Sequence, residues 1–102
     1  MHLVIQNIAD RDVIKLAGRI GTSEARELMD ELPVLDQLKS SRLEVDLEAV
    51  EYMASAGLRL LFQMQRQTSQ QGVDLYIAHT PEMIYRVFEM TGFVKLFNIQ
   101  KA

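Results

Sequence analysis

Hydrophobic and polar positions along this chain switch between two periods, and the switches mark out its elements. Leu3-Val4-Ile5-Gln6-Asn7-Ile8 and Val13-Ile14-Lys15-Leu16-Ala17-Gly18 are β-branched runs on either side of the polar Ala9-Asp10-Arg11-Asp12, a connection of hairpin length. They are expected to pair as antiparallel strands. Ala25, Leu28, Met29 and Leu32 then recur at helical spacing behind Thr22 and Ser23, either of which can cap, with Glu24 and Glu27 near the positive end of the helix. Pro33 removes the donor to the carbonyl of Met29 and crowds that turn, which predicts a kink or a restart before Leu35 and Leu38.

Period two returns at Leu43, Val45 and Leu47, alternating with Glu44, Asp46 and Glu48, as in a strand with one buried face and one face open to solvent. From about Ser55 a second helix carries Leu58, Leu61 and Phe62 on one side, with Gly57 and Met64 flanking, and is expected to end at Gly72. Val73, Leu75 and Ile77 alternate as another strand. Thr80-Pro81 reads as the start of a third helix, with Thr80 as cap and Pro81 at the first helical position; Ile84, Val87, Phe88 and Thr91 follow, and Gly92 stops it. The tail from Phe93 to Ile99 makes a last short strand or extended edge. Met83 and Met90, at helical spacing, read as core filling, and Met53, in a loop, as the surface methionine. After the initial antiparallel pair, alternating helices and strands imply right-handed crossovers. The fold class is α/β, an open mixed β-sheet that is mostly parallel after that pair, with crossover helices. No linker, repeat or low-complexity tract divides the chain, so residues 1–102 read as a single domain.

Composition narrows the function classes. Apolar residues make up 48% and charged residues 25% of the 102 positions, as in a soluble globular protein. The net charge is −3 and no Lys/Arg stripe is present, so neither nucleic acid nor an anionic membrane surface is an expected partner. The absence of cysteine excludes disulfides and thiolate chemistry. Residues 1–8 lack the cationic start and apolar run of an export signal, and no apolar stretch approaches about 18 residues. The chain therefore reads as cytoplasmic, complete in itself and without membrane insertion.

The residue best placed for chemistry is Ser55. The first N–H groups of a helix lack intrahelical partners and carry the positive end of its dipole, so a serine oxygen, or a phosphate on it, is stabilised there. On the residues alone, Ser55 is most simply a helix cap worth about 1 kcal/mol. Gly57 reads as a glycine required by close approach of the backbone, and Gly18 and Gly21 as turn residues. His2 and His79 have no ligand-spaced acidic or thiol neighbours, so no metal or cofactor is expected. Glu44, Asp46, Glu48 and Glu51 fall at the spacing of a solvated strand face and have no nucleophile beside them. Gly18-Arg19-Ile20-Gly21-Thr22-Ser23 lacks the lysine and glycine spacing of a phosphate loop. Catalysis by the chain itself is not expected.

Several fragments, in order, resemble the STAS domain of the anti-sigma factor antagonists. Leu16-Ala17-Gly18-Arg19-Ile20 is similar to the family's strand-ending turn, and Val45-Asp46-Leu47 to the end of its central strand. Tyr52-Met53-Ala54-Ser55-Ala56-Gly57-Leu58 is similar to its switch loop, and Gly92-Phe93 and Leu96-Phe97-Asn98-Ile99 to its late motifs. The resemblance covers nearly the whole chain. It implies that Ser55 is phosphorylated by a serine kinase that doubles as an anti-sigma factor. The unphosphorylated chain would bind that partner through Tyr52, Met53, Ala54, Ser55, Ala56, Gly57, Leu58 and Arg59 and free the sigma factor, and phosphorylation would release it. Ala54 and Gly21 stand where the family usually has acidic residues. STAS-like chains also serve as subunits of membrane transport ATPases or as non-phosphorylated scaffolds assembling with other STAS domains, and these are the alternative readings.

Overall fold

The computed structural model describes residues 2–101. Five strands form one sheet in sequence order: β1 (Ile5–Ile8), β2 (Arg11–Ile20), β3 (Arg42–Met53), β4 (Asp74–Thr80) and β5 (Asn98–Lys101). β1 pairs antiparallel with β2, and the remaining neighbours are parallel. Helices α1 (Thr22–Met29), α2 (Ser55–Gln70) and α3 (Glu82–Thr91) occupy the three crossovers. The expected α/β mixed sheet is what the chain forms.

Ile14 and Leu16 of β2, Leu43, Val45 and Leu47 of β3, and Leu75 and Ile77 of β4 project to one face of the sheet. There they meet Leu28 of α1, Leu58, Leu61 and Met64 of α2, and Ile84 and Phe88 of α3 in a single buried cluster. Each such side chain contributes about 1.5–3 kcal/mol when removed from water, so the period-two apolar positions decide which face takes the helices. Phe88, Phe93 and Phe97 stack in series, with ring centroids 6.1 and 5.2 Å apart, and close the core beneath β5.

The opposite face carries no helix, yet it is not the uniformly solvated surface its charges suggest. Glu48 and Glu51 are exposed, but Glu44 and Asp46 are 7% and 9% exposed. Tyr76 and the long side chain of Arg11 reach across from the neighbouring strands and bond the Glu44 carboxylate, while Arg42 lies over the Tyr76 ring at 4.9 Å. Lateral neighbours on a sheet are close enough for long side chains to cover short ones, which strand alternation alone does not convey.

The helix ends depart from expectation in detail. Gly21, not Thr22 or Ser23, is the cap of α1, and the Glu24 carboxylate reaches back to accept the Gly21 N–H at 3.0 Å. Pro33 does mark a restart: α1 ends at Met29 and a 3-10 helix runs from Leu32 to Gln37. At α3 the cap is Pro81, whereas Thr80 ends β4 and its buried hydroxyl has no partner among the described residues. Gly92 ends α3 in the left-handed conformation, as predicted. The methionines are reversed. Met83 and Met90 are 75% and 84% exposed because Ile84 and Phe88 define the inward stripe of α3, and Met53 is buried at the end of β3.

Candidate functional site

β3 runs without interruption to Met53, Ala54 makes the turn in extended conformation, and α2 begins at Ser55. The turn is pinned to β2, since the Ala54 N–H donates to the Ile20 carbonyl at 2.9 Å and the Ala54 carbonyl accepts from Gly57 N–H at 2.8 Å. Gly57 fits because nothing larger does: a Cβ there would lie 2.5 Å from Met53 Cγ and 3.2 Å from Ile20 Cγ2. That close approach seats the first turn of α2 directly on the ends of β2 and β3.

Ser55 is therefore the first helical residue and not the cap. The cap position belongs to Ala54, no side chain caps the helix, and the exposed Ser55 hydroxyl makes no hydrogen bond among the described residues. The capping role expected for Ser55 is overturned, because the chain reaches helical geometry one residue earlier than a serine cap requires.

The predicted loop residues separate into two sets. Tyr52, Ser55 and Arg59 are exposed, and Ala54 and Ala56 are partly covered; Met53, Gly57 and Leu58 are buried and support the others from below. Met53 is thus scaffold, not contact surface. Arg59 lies one helical turn beyond Ser55, on the same side of α2. With Thr22, Arg26, Met29 and Ala56 it lines a cleft of about 150 Å³ between α1 and α2. Arg19 stacks on the Tyr52 ring at 4.4 Å, its strand partner in the β2–β3 register. Nothing in the sequence marks Arg19 and Arg26 as neighbours of the loop, because only the strand register and the helix pairing bring them there. Ser55 thus stands at a helix start with Arg59 one turn away on the same side, an arrangement suited to a negatively charged oxygen.

A second polar group lies on the helix-free face. Glu44 Oε1 accepts from Arg11 Nε and from the Tyr76 hydroxyl, each at 3.0 Å. Burial, and then the bond to Glu44, push the Tyr76 hydroxyl above its ordinary range. Hydrogen bonds to Asp10 and Glu44 likewise raise the Arg11 guanidinium. His79, exposed at the end of β4, stands with Glu44 and Asp46, their ligand atoms all within 4.8 Å of one another. Along the sequence His79 has no ligand-spaced acidic neighbour, since these partners lie more than thirty positions away on another strand. The other histidine, His2, sits apart, with its ring 2.9 Å from Glu31.

Comparison with known proteins places the fold and the family. The family model described as "Mlab, STAS domain" matches residues 5–98. An anti-sigma-B factor antagonist of Staphylococcus epidermidis is 30% identical over 104 aligned positions, covering 100% of this chain and 96% of that protein. A solved anti-sigma factor antagonist from Mycobacterium paratuberculosis superposes with a TM-score of 0.81 at 22% identity, covering 98% of this chain and 85% of that one. The anti-sigma factor antagonist SpoIIAA in its unphosphorylated form gives a TM-score of 0.77 at 14% identity, over 95% of this chain and 86% of that one. In its phosphorylated form, described as a Bacillus cell fate determinant, SpoIIAA gives 0.69 at 14% identity, over 95% and 89%. The chain belongs to the STAS domain family, in company with the anti-sigma factor antagonists.

Proposed function

We propose that this chain is an anti-sigma factor antagonist that binds a serine-kinase-type anti-sigma factor through the surface from Tyr52 to Arg59, and that phosphorylation of Ser55 ends the complex. The observation that carries the reading is the exposed Ser55 hydroxyl at the first position of α2, which serves no hydrogen bond among the described residues. A hydroxyl with no structural duty at a helix start is available to a kinase. The likeness to SpoIIAA, which exists in unphosphorylated and phosphorylated forms, supports it.

In the transfer step, Ser55 Oγ attacks the terminal phosphorus of a nucleoside triphosphate held by the partner. The bond to the bridging oxygen breaks, the hydroxyl proton passes to a base of the kinase, and the nucleoside diphosphate leaves. The product carries close to two negative charges. Within the free chain, the helix start and Arg59 accommodate them, so the modified protein stays folded. Within the complex, an interface fitted to a neutral hydroxyl acquires charge and desolvation cost, so binding is lost. The missing acidic residue at position 21 is partly replaced in space. Glu24 Oε1 lies 2.7 Å from where a Gly21 side chain would begin, which returns a carboxylate to that turn.

The test is binding to the kinase-type anti-sigma factor purified from the same host. Ser55→Asp is expected to weaken the complex more than about tenfold, roughly 1.4 kcal/mol, with the melting temperature nearly unchanged. Ser55→Ala is expected to bind and to resist phosphorylation. Equal binding by Ser55→Asp and the unmodified chain would count against the switch. The neutral Ala54 ahead of the serine favours one other reading, a subunit of a membrane transport ATPase with no phosphoserine cycle. Capture of such an ATPase with Ser55 unmodified throughout would replace the proposal.

A further inference from the structure

We propose that Glu44, Asp46 and His79 form a binding site for a late first-row divalent cation, zinc being the probe of choice, at the place where β3 and β4 part. The β3–β4 ladder ends at the pair Asp46↔Ala78. Both strands leave regular pairing just beyond it. Between the pairs Lys15↔Asp46 and Ala17↔Ala49, β3 spends three steps against two of β2, and the Glu48 N–H turns back to donate to Asp46 Oδ1 at 2.9 Å. Between Ile77↔Ile99 and Thr80↔Lys101, β4 likewise spends three steps against two of β5. His79 sits in that second bulge with φ of 56°, the one described non-glycine residue in the left-handed region. Regular alternation would aim its ring at the core face, opposite to Ala78. The bulge instead leaves it exposed and brings its ring nitrogen to the two carboxylates. Re-aiming one side chain is what a bulge does, and this one is locally unfavourable, since it holds a non-glycine residue in the left-handed region.

Each of the two carboxylates has one oxygen held and one to offer. Arg11 and Tyr76 both engage Glu44 Oε1, which fixes the carboxylate and leaves Oε2 without a donor among the described residues. The Glu48 N–H holds Asp46 Oδ1 and leaves Oδ2. The His79 ring makes no hydrogen bond among the described residues. Two carboxylate oxygens and an imidazole, mutually within 4.8 Å, need to draw in by up to about 1.5 Å to meet ligand separations of a tetrahedral ion bound at about 2.0–2.2 Å. The exposed His79 ring can supply that movement. This mixed nitrogen and oxygen set suits zinc and its neighbours over calcium or magnesium, with water completing the coordination. Arg11 and Tyr76 are the positioning groups behind Glu44.

The experiment is calorimetric titration of the chelator-treated full chain with zinc chloride, paired with proton–nitrogen NMR of the histidine rings. One ion per chain is expected, with the His79 ring signals shifted and those of His2 unmoved. His79→Asn and Asp46→Asn are each expected to weaken binding by at least about tenfold. Asparagine tolerates the left-handed backbone at position 79, and Asp46→Asn tests the site from a second strand, so loss of binding is separable from misfolding by circular dichroism. No saturable binding up to about 1 mM zinc, or binding that survives His79→Asn and vanishes with His2→Gln, overturns the site.

Discussion

At Ser55 and Gly57 two residues of similar size carry opposite burdens. The Ser55 hydroxyl caps nothing, so Ser55→Ala is expected to change unfolding free energy by less than about 0.5 kcal/mol in urea titration. A loss near 1 kcal/mol, the usual worth of a cap, would contradict the observed helix start. Gly57→Ala places a methyl against Met53 Cγ and Ile20 Cγ2 and is expected to cost about 1–3 kcal/mol despite the better helix propensity of alanine. In a Met53→Ala background the same substitution should cost less, because the two positions share the same space. The need for glycine was legible from its place near a helix start. That its neighbours are Met53 and Ile20 was not, because the contact joins the ends of two strands to a helix.

Among the elements, the strands were legible and the furnishing of their faces was only half so. Period two marked β3 and β4 and chose the helix-bearing side, but it could not tell that Glu44 and Asp46 are covered by Arg11, Tyr76 and their neighbours. Cross-strand cover depends on register, which sets Glu44 opposite Tyr76, and the pattern of one strand taken alone does not reveal its partner. The same limit hid His79, whose partners lie on β3. In α3 the period was right and the inward stripe was misjudged for methionine, a residue equally at home on either side. The covered Tyr76–Glu44 pair has a consequence for pH. The folded-state value of Tyr76 lies above its ordinary 10.0, so the protonated hydroxyl contributes stability in full below about pH 10 and loses it as pH rises through the folded value. Urea unfolding measured from pH 8 upward is expected to show the unmodified chain losing stability more steeply than Tyr76→Phe; parallel profiles would contradict the pairing.

For the whole molecule, a radius of gyration of 12.4 Å is close to the roughly 13 Å of a hundred-residue domain. With one buried cluster joining every helix to the sheet, thermal unfolding is expected to be a single transition with equal calorimetric and van't Hoff enthalpies. Two separable steps would show that part of the chain folds alone. The strictly sequential strand order also bears on how the molecule is made. Every strand docks on the one synthesised just before it, so no early strand must wait for a late one to be inserted between it and its neighbour. The sheet can grow outward from β1 as the polypeptide leaves the ribosome, each new helix sealing the apolar face of the strand just laid down, and the interval during which any bare edge or apolar face could meet another nascent chain stays short.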